Sequence, residues 1–75
     1  MSPEDRALFT KANEALAKSR PREAWSIGEP LFEKYLSDYA VQDLRCKAAT
    51  RLSLPWEQTH RACEPLMALT PGLMR

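Results

Sequence analysis

The sequence predicts an all-α fold of four helices arranged as two helix–turn–helix units, and three observations predict it. Glycine occurs only twice, and isoleucine and valine together only twice, while Ala, Leu, Glu, Lys and Arg dominate, which favours helix. Apolar residues recur at the 3- and 4-residue spacings of a helical face, as in Ala7, Leu8, Ala12, Ala15 and Leu16. The chain also repeats itself. SRPREAW at Ser19 and SLPWEQT at Ser53 both read Ser-x-Pro-x-Glu, thirty-four residues apart.

The first helix is expected from about Pro3 to Lys18. Ser2 is its N-cap candidate, Pro3 suits the first helical position, and Glu4 and Asp5 suit the positive end of the helix dipole. Ser19-Arg20-Pro21 is a short connection, after which a second helix is expected over about 22–36. It carries Ala24, Trp25, Ile27, Leu31, Phe32, Tyr35 and Leu36. Pro30 lies inside that pattern and removes a backbone donor, so a kinked helix is expected; the alternative is a break at Gly28 with a new helix opening at Glu29-Pro30.

Ser37-Asp38 separates the halves. The third helix is expected over about 39–52, through Val41, Leu44, Cys46, Ala48, Ala49 and Leu52. Ser53-Leu54-Pro55 repeats the earlier connection. The fourth helix is expected over about 55–69, with Trp56, Thr59, Cys63, Leu66, Met67 and Leu69, Pro65 inside it and Thr70-Pro71-Gly72 as its stop. The two units, 3–36 and 39–71, are in register at thirty-four residues up to Glu23 and Glu57. The register becomes thirty-five at Glu29-Pro30-Leu31 and Glu64-Pro65-Leu66. Periods near this value mark stacked helix pairs.

ALFTKANEALAKSRPREAW resembles the core of a tetratricopeptide repeat: an apolar pair, small Ala12 and Ala15, a turn, then Ala24 followed by bulky Trp25. Pro71 stands for the repeat's closing proline, and Cys46 for the small residue of the second unit's first helix. The resemblance implies two hairpin repeats in a right-handed superhelical stack, with residues 72–75 as a tail or the start of a further repeat. It further implies a peptide-binding groove lined by the first and third helices. The positions that map there are Arg6, Phe9, Asn13, Leu16 and Ala17, then Ala40, Asp43, Lys47, Thr50 and Arg51. Asn13 matches an asparagine that grips a peptide carboxylate in some members, and Phe9 replaces their lysine. The site expected from this is Arg6, Phe9, Asn13, Lys47 and Arg51, taking a protein or an acidic peptide.

Stacked repeats generally need three or more units, and two are present. A longer array, a partner or a homodimer is therefore expected to cover the fourth helix at Trp56, Leu66, Met67 and Leu69. Cys46 and Cys63 are read as two small buried fillers, with a disulfide or a metal pair as alternatives. His60, Cys63 and Glu64 share a helix face, but no Cys-x-x-Cys pair supports a metal, and no metal or cofactor is expected. Trp25 is read as core and Trp56 as a contact residue between units or chains.

Seventy-five residues make one small domain and leave little room for a catalytic pocket, so no enzyme is expected. A net charge of +1 with no basic stripe argues against a nucleic-acid partner. No apolar run approaches the roughly 20 residues of a membrane span. The N-terminus lacks a secretory pattern, and a cytoplasmic location is expected. What remains is a non-catalytic scaffold or adaptor; the alternative is a module that dimerises through its C-terminal helix.

Overall fold

The computed structural model describes residues 1–69. Within them the chain folds into four helices: α1 (Pro3–Ala17), α2 (Pro21–Lys34), α3 (Tyr39–Arg51) and α4 (Trp56–Ala68). The expected stop at Thr70-Pro71-Gly72 and the tail 72–75 lie outside the described residues.

Local chemistry sets most of the helix ends. Ser2 Oγ accepts from the Asp5 amide (3.2 Å), with Pro3 in the first turn. At the other end of α1, Ser19 takes a left-handed conformation (φ 61°). That lets the Arg20 amide donate to the Ala15 carbonyl (2.9 Å) and the Ser19 amide to the Leu16 carbonyl (3.0 Å). The pair closes the last turn of α1 and reverses the chain. Ser53 takes the same left-handed conformation after α3 (φ 56°), and its amide donates to the Thr50 carbonyl (3.3 Å). The duplicated serines are thus duplicated turns.

Asp38 caps α3 by accepting from the Val41 amide (3.3 Å). α2 is one helix through Pro30, so the break at Gly28 does not occur. Gly28 is buried, and the Phe32 ring lies so close that a Cβ on Gly28 would stand 3.0 Å from it. α2 ends two residues earlier than expected, at Lys34. There Gln42 Nε2 donates to the carbonyls of Phe32 (2.8 Å) and Tyr35 (2.9 Å), which replaces partners a further helical turn would supply.

The core lies among α1, α2 and α3: Ala12, Ala15 and Leu16; Ala24, Leu31 and Phe32; Val41, Leu44 and Ala48. Ala12, Ala24 and Ala48 are completely buried, and such small side chains let helix axes approach closely. Trp25 is half-buried, edge-on to Phe32 with ring centroids 5.0 Å apart. Ala7, expected on the buried face, is exposed, because Leu8 and Phe9 turn toward the core instead. α3 packs on α2, on α4 and at a smaller contact on α1, whereas α4 packs on α3 alone among the described helices.

The cysteines correct the expectation of two separate fillers. Cys46 and Cys63 form a disulfide between α3 and α4, with Cα atoms 4.5 Å apart. Ala49 and Ala62 are buried in the same two helices, and the close approach that small residues permit brings the two Cβ atoms within bridging range.

Candidate functional site

The five residues expected to line a groove are not assembled into one polar site. Phe9 packs half-buried against the core. Asn13 Nδ2 donates to the Phe9 carbonyl of its own helix (2.9 Å). Lys47 pairs with Asp43 one turn away (2.9 Å). Arg51 Nη1 crosses from α3 to the Leu16 carbonyl (2.9 Å), so it closes the end of α1. Leu16 itself is core, only 6% exposed. Arg6 is exposed and borders a cavity of about 390 Å³ with Met1, Pro3, Ala7 and Thr10, which neither Lys47 nor Arg51 lines.

Two polar clusters were missed by sequence reasoning. In one, Asp5 accepts from Lys34 Nζ (2.7 Å) and from the Tyr35 hydroxyl, joining the start of α1 to the end of α2. The Lys34 and Tyr35 hydrogen bonds hold the Asp5 carboxyl below its ordinary pKa. The same contacts with Asp5 raise Lys34 and Tyr35 above theirs. The other is the fully buried Gln42. A glutamine beside Val41 gives little sequence signal, since its task is set by carbonyls ten and seven residues earlier.

A basic concavity lies at the turn end of the hairpins. It is an open depression of about 730 Å³ bordered by Arg20, Pro21, Arg22, Glu23, Ser26, Arg51 and Leu52. Arg20 faces Glu23 across 3.7 Å with both side chains more than half exposed, an arrangement of little energetic weight. A second cavity, about 570 Å³, is bordered by Trp25, Glu29, Pro30, Phe32, Glu33 and Arg45. Arg45 lies over the Phe32 ring (5.7 Å to its centroid), and Glu29 and Glu33 outweigh its charge.

On α4, Trp56 is 75% exposed and stacks on His60 with centroids 5.3 Å apart. Met67 is exposed, and Leu66 and Leu69 are half-buried. Cys63 is consumed by the disulfide, so it does not complete a ligand set with His60 and Glu64. Among the described residues no group of three or more His, Cys, Asp or Glu side chains is placed to hold a metal ion, and no helix is long and apolar enough to cross a membrane. No protein-family profile, curated protein or solved structure matches this chain.

Proposed function

We propose that the chain is a non-catalytic protein–protein interaction scaffold: two tetratricopeptide-like hairpins, stacked as a short right-handed superhelix, that present helix surface to a peptide or helix of a partner. The observation that carries this reading is the repetition of the hairpin itself. Left-handed serines at Ser19 and Ser53 turn both hairpins, and α3 packs between α2 and α4 as the junction of two stacked units would. The disulfide belongs to oxidising environments, so the proposal carries no cytoplasmic assignment.

Selection from a displayed library of random peptides on the oxidised chain tests the reading. The expected result is a family of peptides binding with Kd of about micromolar, near −8 kcal/mol. Failure to enrich any peptide binding more tightly than about millimolar sinks it.

A second reading, self-association through α4, is favoured by the 75% exposure of Trp56 on a helix that packs, among the described helices, on α3 alone. Light scattering against concentration separates the two. A mass that doubles with concentration in the wild type but not in Trp56→Ala supports self-association. A constant monomer mass dismisses it.

A further inference from the structure

We propose that the cavity bordered by Arg20, Arg22 and Arg51 is the docking site for an acidic peptide segment, with carboxylates on the guanidinium groups and an apolar side chain on Pro21 and Leu52. The inference rests on the interaction-module reading. It moves the binding face from the α1–α3 groove to the edge where the hairpins turn.

Charge is the first argument. Three arginines and a single carboxylate, Glu23, border this cavity among the described residues, and Glu23 faces Arg20 across 3.7 Å. Arg22 is exposed, and its side chain makes no hydrogen bond or ion pair among the described residues. Arg51 is already oriented: one Nη1 bond holds it to the Leu16 carbonyl, and its remaining N–H donors are left for a ligand. A guanidinium fixed in this way loses less freedom when it grips a carboxylate in two-point fashion.

Shape is the second. The concavity is open and shallow, about 730 Å³, a surface on which an extended segment can lay several side chains. Pro21 and Leu52 are both half-buried and supply an apolar border, and Ser26 adds a hydroxyl. An inorganic anion would leave the apolar border unused. A nucleic acid strand would need a longer basic track than a chain of net charge +1 offers. The Arg45 cavity is unsuited to an acidic ligand because Glu29 and Glu33 border it.

The test uses the full oxidised chain and two fluorescein-labelled decapeptides, one of alternating glutamate and leucine, the other with glutamine in place of glutamate. Fluorescence anisotropy reads affinity, and amide NMR shifts read position. The glutamate peptide is expected to bind saturably and to weaken as salt screens the contacts. Shifts are expected at Arg20, Arg22, Ser26 and Leu52, and the glutamine peptide should bind at least about tenfold more weakly. Arg22→Ala removes a side chain without an internal partner, so the fold should persist while affinity falls about tenfold; Arg22→Lys should recover part of the loss.

Equal binding of both peptides overturns the proposal. So does full displacement by inorganic phosphate or by a single-stranded oligonucleotide at matched charge concentration. Absence of saturable binding up to about millimolar also overturns it. Shifts confined to Phe9, Asn13 and Lys47 reject this cavity while the module reading survives. If peptide selection also yields nothing, both readings fall.

Discussion

Cys46 and Cys63 join α3 to α4, and the bond spans 17 residues of sequence. α4 has no other packed neighbour among the described helices, and Ala62 is its one buried residue. Closing a loop of this size removes about 3 kcal/mol of unfolded-state freedom. Reduction is therefore expected to lower stability by about that amount, a large share of what so short a chain holds. The loss should concentrate in α4. Hydrogen exchange with and without a thiol reductant checks this, with Cys46→Ala/Cys63→Ala as the control for side effects of the reagent. An unchanged melting temperature would show that α4 is held by packing instead.

Ser19 and Ser53 occupy a backbone region that costs a residue with a Cβ about 1 kcal/mol. Glycine occupies it without that cost and is the usual residue at this position after a helix. Ser19→Gly and Ser53→Gly are each expected to raise unfolding free energy by about 0.5–1 kcal/mol, and the pair to depart from additivity because Arg51, in the last turn before Ser53, donates to the Leu16 carbonyl that also accepts from the Ser19 amide. Urea denaturation measures it. Ser→Ala at the same positions should give no gain, since the Cβ remains; a gain with alanine would mean that the serine hydroxyl, not the backbone, was the cost.

Gly28 presents the opposite case. It sits inside α2, where alanine would ordinarily be favoured by about 1 kcal/mol. Here a Cβ would stand 3.0 Å from two atoms of the Phe32 ring, and Phe32 is 2% exposed and edge-packed on Trp25. Moving the ring would disturb its edge contact with Trp25, and such crowding costs about 1–3 kcal/mol. Gly28→Ala is expected to be net destabilising, by about 1 kcal/mol, with a shift in the Trp25 fluorescence. A more stable variant with unchanged fluorescence would show that the Phe32 ring yields freely.

These particulars show what could be read from the sequence. The four helices were legible because each carries local signals: Ser2-Pro3, the paired Ser-x-Pro turns, and apolar spacing. The disulfide was not, because two cysteines carry no pairing information until the helices that hold them are side by side. Asp5, Lys34 and Tyr35 were equally hidden, since their partnership joins positions 29 and 30 residues apart. The expected groove took Arg51 from the position it holds in the tetratricopeptide resemblance, which is silent on Leu16, the carbonyl it reaches. Spacing assigns faces; it does not say which partner claims a long side chain.

The Asp5 cluster gives the pH dependence. Lys34 and Tyr35 hydrogen bonds lower the Asp5 pKa in the folded state, so the unfolded chain binds its proton first as pH falls. The contribution is present above the ordinary aspartate value near about 4 and is lost as pH drops through the lowered one. Lys34 and Tyr35 are raised, mainly by Asp5, so their contribution is complete below their ordinary values near about 10 and is lost as pH rises through the raised ones. Asp5→Asn should remove both effects together, leaving stability lower at neutral pH and its decline flatter at both extremes. Lys34→Met should weaken the acid limb while the Tyr35 hydrogen bond to Asp5 preserves part of it. Thermal melts of the wild type and both variants across the pH range test this. If Asp5→Asn ran parallel to the wild type at every pH, the cluster would contribute no proton linkage, and the junction between α1 and α2 would rest on apolar contact alone.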